Sequence, residues 1–210
     1  DSVLGKNLPT NVISSVPIDY GLMELFSPAN AVAKSNFDSL MIPYRAVAAN
    51  ISQQKQSILK NGDLSKAIRA SMTYPFYISP ITINGDLMFD GGLYNNFPVD
   101  IMCNSFSPDY IIASNVAAKN PNPTEDNLLA QLRNILTKEA NFEINCTEGI
   151  IIQTDVSDIS TFDFYGTDLA LQKGYDAANS AIDSIRRHVI RSIPTQDVTQ
   201  RRATFNHRKP

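Results

Sequence analysis

The chain has 210 residues, of which 43% are apolar, enough for one domain with a real core, or one domain with an appendage. No apolar run approaches the roughly eighteen residues that a membrane-spanning helix needs. The net charge of −3 is unevenly placed: seven basic residues against one acid, Asp197, follow position 185, so this tail carries +6 and the rest −9. The tail reads as a solvated linker; its lack of interleaved aromatics apart from Phe205 argues against nucleic-acid binding.

Residues 1–18, broken by Pro9 and Pro17, read as an irregular lead-in, and a first residue that is Asp suggests a piece of something longer or a processed product. Leu22, Leu25, Phe26, Ala29, Val32 and Ala33 recur at helical spacings, with an expected interruption at Pro28. "MIPYRAVAANI" reads as a strand, apolar on both faces and therefore covered on both sides. Asn61-Gly62 marks a turn, Asp63 an N-cap, and Lys66 to Ser71 a helix that stops before Pro75. "ISPITINGDLMFDGG" is a hairpin, because Asn84-Gly85 between alternating runs is a strong short-range hairpin signal. "DYIIASNVA" and "EGIIIQTDV" read as short buried strands. Residues 124–140 read as an amphipathic helix opening on Thr124, and residues 164–193 as a long helix. Strands alternating with helices predict an α/β fold, a central sheet with helices on its faces, whose chemistry gathers at strand ends.

Asp90 falls at such an end, directly after "LMF". Gly91 and Gly92 permit positive φ or close approach of backbone or ligand. A carboxylate held there can orient a base or take a proton from a hydroxyl, or simply bond its own turn. The only histidines, His188 and His207, lie near the basic tail, so a Ser-His-Asp triad is not expected. No G-x-S-x-G elbow, phosphate loop or dinucleotide fingerprint occurs. Ser71 and Ser114 are weaker nucleophile candidates. Asp155, Asp158, Asp163 and Asp168 cluster without calcium-loop spacing and read as caps and solvated acids. Cys103 and Cys146 can pair but lack metal-site spacing; no metal and no cofactor are expected. Asn50-Ile-Ser52 and Asn145-Cys146-Thr147 match the glycosylation pattern, a frequent accident.

"YRAVAANI" followed by "GDLSKAIRASMTYPFYISPITINGDLMFDGGLYNNFPVDIM" resembles the second half of the catalytic domain of patatin-like phospholipases, over roughly residues 37–116 and more loosely to about 185. The resemblance implies a partial three-layer α/β fold, with residues 1–185 as the C-terminal part of the hydrolase domain and 186–210 as a basic linker. It implies that Asp90, flanked by Gly91 and Gly92, is the base of a Ser-Asp dyad acting on a lipid or other ester substrate. The family's nucleophilic serine and oxyanion loop precede this segment and do not occur in these residues, so the piece alone is expected to be inactive. A missing N-terminal half of the same protein and self-association are the partners implied, and a cell-envelope location of a bacterial protein is favoured over the cytoplasm. The competing readings are a non-catalytic binding or scaffold domain derived from a hydrolase, and an independent hydrolase using Ser71 or Ser114 with Asp90.

Overall fold

The computed structural model describes residues 11–117, 141–159, 163–190 and 192–210. The expected helix over 124–140 lies outside the described residues. Two compact units divide the chain: the first runs to Asn96 and resumes for Ile193–Pro210, and the second is Phe97–Ser192.

The first unit opens with helix α1 (Val16–Val32) and a 3-10 turn at Phe37–Ser39. A hairpin of β1 (Ala46–Asn50) and β2 (Lys55–Leu59) leads to helix α2 (Leu64–Ser71). A second hairpin, β3 (Ile81–Ile83) and β4 (Asp86–Asp90), follows. The four strands form one antiparallel sheet in the order β2-β1-β4-β3. Two hairpins joined through a helix give antiparallel neighbours, because tight turns reverse the chain where a parallel crossover would not. The fold is thus the mixed α/β arrangement that the sequence predicts, with a central antiparallel sheet and helices.

Local chemistry explains most of these boundaries. Gly62 takes φ +100°, and the Asp63 carboxylate then accepts from the Lys66 amide at 3.2 Å to cap α2. Asn84 and Gly85 both have positive φ, 54° and 88°, as the two-residue turn between β3 and β4 requires. Every residue of β1 is buried, as its apolar faces predict. Pro28 does not interrupt α1: the helix runs through it, against the expectation, and α1 packs on α2. The β2 strand went unread in the sequence because its half-buried residues include Gln56 and Ser57, whereas Ile58 is exposed.

The core of this unit lies between α2 and the sheet. Phe37, Ala46, Leu64 and Ala67 form one buried cluster, and Ala48, Ala70 and Met88 form another. Alanines on both α2 and β1 let the helix axis come close to the sheet, and Phe37 fills the volume beside them.

The second unit contains helix α3 (Val99–Phe106), strands β5 (Tyr110–Asn115) and β6 (Glu148–Gln153), and helix α4 (Thr167–His188). The strands pair in parallel, from Tyr110↔Glu148 to Asn115↔Gln153. The expected burial of β6 is not found: its residues are half-buried or exposed, because among the described residues it has β5 as its one ladder partner. Cys103 of α3 and Cys146 are joined as a disulfide. At the end of α4 the His188 ring stacks on Tyr110 at 5.0 Å. Helix α5 (Thr195–His207) belongs to the first unit and buries Phe205.

Candidate functional site

Asp90 is the last residue of β4, opposite Ala48 of the central strand β1. Its carboxylate turns back on the chain: Oδ1 accepts from the Gly92 amide at 2.8 Å, capping the 3-10 turn Gly91–Leu93. Oδ2 makes no hydrogen bond with the described residues. The residue is half-buried, and burial pushes its carboxyl above the usual carboxylate value while the Gly92 amide pulls it down. One oxygen is therefore fixed, and the other, unbonded among the described residues, can accept a proton.

The two glycines act through space rather than through unusual φ, since among the described residues the glycines with positive φ are Gly62 and Gly85. Gly91 is buried against β1, where a Cβ would overlap the Val47 carbonyl. At Gly92 a Cβ would stand 2.8 Å from Asn96 Oδ1 and 3.1 Å from Asp90 Oδ1. The turn is held further by the Tyr94 and Asn95 amides, which both donate to the Gly91 carbonyl, and by Asn95 Nδ2, which donates to Gln56 Oε1 at 3.0 Å.

Behind Asp90 lies a buried polar group that the sequence reading did not single out. The Asp90 amide donates to the Thr73 carbonyl at 2.9 Å. Thr73 is wholly buried, and its hydroxyl lies against Arg69, which is itself 3% exposed. Arg69 Nε donates to Asp19 Oδ1 at 2.7 Å, and Nη2 donates to the Ser79 carbonyl at 2.7 Å. An arginine among the buried residues of α2 and a threonine four residues on, just past the helix end, are the sequence signal for this pair.

Among the described residues, none of the other candidate side chains is hydrogen-bonded to Asp90. Ser71 is the last residue of α2, and Ser114 lies on β5 in the other unit. Among the described residues, no side-chain hydroxyl donates to the Asp90 carboxylate. His188 is on the exposed end of α4, with Glu148 at 3.8 Å. Asp155 accepts from the Ser157 amide and hydroxyl, Asp163 caps the turn Phe164–Gly166, Asp158 pairs with Lys173, and Asp168 lies in the first turn of α4. These acids cap turns or pair with a lysine. Of the two sequons, Asn50 is buried and bonded to Asp86, whereas Asn145 is exposed.

Residues 11–102 match the family model of patatin-like phospholipases, so the match includes Asp90, Gly91, Gly92, Thr73 and Arg69. An uncharacterized NTE family protein of Mycobacterium tuberculosis is 28% identical over 166 residues, covering 66% of this chain and 28% of the relative. Another such protein, from Mycobacterium bovis, is 28% identical over 119 residues, covering 54% and 33%. Patatin-like phospholipase domain-containing protein 6 of Homo sapiens is 34% identical over 85 residues, covering 40% of this chain and 6% of its own length. The chain thus resembles the patatin-like phospholipases, and spans about a third or less of the length of these relatives.

Proposed function

We propose that this chain is part of a serine esterase or lipid acyl hydrolase that works through a Ser-Asp dyad, with Asp90 as the base. The observation that carries the reading is the half-bonded, half-buried carboxylate of Asp90 within the patatin-like segment, at the end of a central strand. The nucleophilic serine is assigned to a segment outside these 210 residues, since no G-x-S-x-G occurs within them. The piece alone is then inactive.

In this reading Asp90 Oδ2 accepts the serine hydroxyl proton as the serine oxygen attacks the ester carbonyl. Collapse of the tetrahedral adduct expels the alcohol, which takes the proton from Asp90 and leaves an acyl-serine. Water then attacks the acyl group, giving its proton to Asp90, and the fatty acid leaves as serine regains its hydrogen. Partial burial suits this cycle, because a base with a pKa above the ordinary aspartate value binds the proton more readily at each transfer. Oδ1, tied to Gly92, keeps Oδ2 in register.

The test is hydrolysis of a short-chain chromogenic ester by the full-length protein and by its Asp90→Asn variant. The amide cannot accept the proton, so kcat/KM is expected to fall by about a hundred- to ten-thousandfold. Turnover near the unsubstituted level overturns the assignment.

A further inference from the structure

We propose that Thr73, held by Arg69, is a positioning residue for Asp90; the proposal rests on the reading of Asp90 as the base. The relevant geometry begins with the sheet. Strand β3 pairs with β4 only as far as Met88, so Phe89 and Asp90 extend beyond it. On that side the Asp90 amide finds the Thr73 carbonyl instead, at 2.9 Å. The backbone of the proposed base thus lies opposite Ala48 of β1 on one side and is hydrogen-bonded to Thr73 on the other.

Thr73 lies one residue past the C-cap of α2, where the helix no longer dictates the direction of a carbonyl. Its own side chain supplies the constraint. The Thr73 hydroxyl donates to the Arg69 carbonyl at 2.7 Å and accepts from Arg69 Nη1 at 2.5 Å. Arg69 is in turn fixed by Asp19 on α1 and by the Ser79 carbonyl ahead of β3. A guanidinium held at 3% exposure is costly unless each donor is used, and here one planar fork reaches three separate segments. An apolar side chain could fill the same volume but could not aim the Thr73 carbonyl. The chain of contacts is Arg69 to the Thr73 hydroxyl, the Thr73 carbonyl to the Asp90 amide, and the Gly92 amide to Asp90 Oδ1.

The experiment is steady-state ester hydrolysis by the full-length protein, with Thr73→Val, Thr73→Ser and Arg69→Lys set beside Asp90→Asn. Thr73→Val keeps the shape and removes the hydroxyl; kcat is expected to fall about ten- to a hundredfold, with KM within about twofold, because the base moves while substrate contacts stay. Thr73→Ser retains the hydroxyl and is expected to restore most of kcat. Arg69→Lys keeps a charge opposite Asp19 but cannot fork to both Thr73 and Ser79, and is expected to lose kcat without a change in KM. Circular dichroism establishes the folded fraction of each variant, and if Thr73→Val does not fold, Arg69→Lys decides. A folded Thr73→Val or Arg69→Lys with unchanged kcat, beside an inactive Asp90→Asn, overturns the positioning role alone. An active Asp90→Asn overturns the base assignment beneath it.

Discussion

A Cβ on Gly91 would stand 2.7 Å from the carbonyl carbon of Val47 and 3.1 Å from its Cβ. The obstacle is the backbone of β1, which is buried along its whole length and cannot yield. Gly91→Ala is therefore expected to push the 3-10 turn off the sheet and to destabilise the first unit by about 1–3 kcal/mol or more. At Gly92 the three atoms nearest an added Cβ all belong to side chains, those of Asn96 and Asp90. Gly92→Ala is expected to keep the fold and, on the proposed mechanism, to lose activity by displacing the carboxylate. Thermal melts and ester hydrolysis on both variants separate the two effects; equal melting temperatures for Gly91→Ala and the unsubstituted protein would refute the packing argument.

Asp90 also predicts a dependence of stability on pH. Burial raises its pKa in the folded state, so the folded protein binds the proton more tightly than the unfolded chain. The contribution of this group is fully present below the unfolded aspartate value, and is lost as pH rises through the folded value. At neutral pH the ionised, partly desolvated carboxylate is thus a net cost to folding. Asp90→Asn removes the charge and keeps an oxygen able to accept from the Gly92 amide at the Oδ1 position. It is expected to melt above the unsubstituted protein at pH 7, with the difference shrinking as pH falls through the raised folded value towards the ordinary aspartate value, and levelling off below it. A variant that melts lower at pH 7 would show that the charge stabilises the fold.

Features set by adjacent residues were legible in the sequence. Asn84-Gly85 and Gly62 announce turns because their backbone conformations are costly for other residues, and Asp63 announces a helix start because its side chain reaches an amide three residues on. Asp90 stood out for the glycines beside it, but the sequence left open whether they served positive φ or close approach; only the contact with Val47 decides for the second at Gly91. The Thr73–Asp90 bond was invisible because it joins a helix end to a strand end through backbone atoms, which carry no residue-type signal. Helices α3 and α5 were unread for a different reason: neither "VDIMCNSF" nor "TQDVTQRRATFNH" offers an apolar stripe long enough to show a helical period.

Phe37 offers a test of the first core. It is wholly buried, packs with Ala46, Leu64 and Ala67, and meets Tyr44 at a ring-centroid distance of 6.1 Å. The small neighbours on α2 and β1 cannot expand to fill the space it occupies. Phe37→Ala is expected to cost about 3–5 kcal/mol, and Phe37→Leu much less, because a leucine fills most of the volume. Chemical denaturation measures both, and a loss below about 1 kcal/mol for Phe37→Ala would place the cluster outside the cooperative core.

In the second unit, the Cys103–Cys146 disulfide closes a loop of 43 residues in sequence separation. It ties α3 to the segment that enters β6, and β6 is the half-exposed member of what is, among the described residues, a two-stranded parallel pair. Such a pair has few ladder bonds to hold it, and so relies on its tether more than the four-stranded sheet does. Loop-closure entropy for a ring of this size is worth roughly 4 kcal/mol. Replacing both cysteines by serine is expected to lower the stability of this unit by an amount of that order and to leave the first unit less affected, because Asp90, Thr73 and the core around Phe37 all lie outside the loop. Hydrogen exchange reads the two units separately: protection should fall in β5 and β6 while β1 and β4 stay protected. Uniform loss across both units would mean that they unfold together, and no loss in β5 and β6 would mean that the disulfide carries little of their stability.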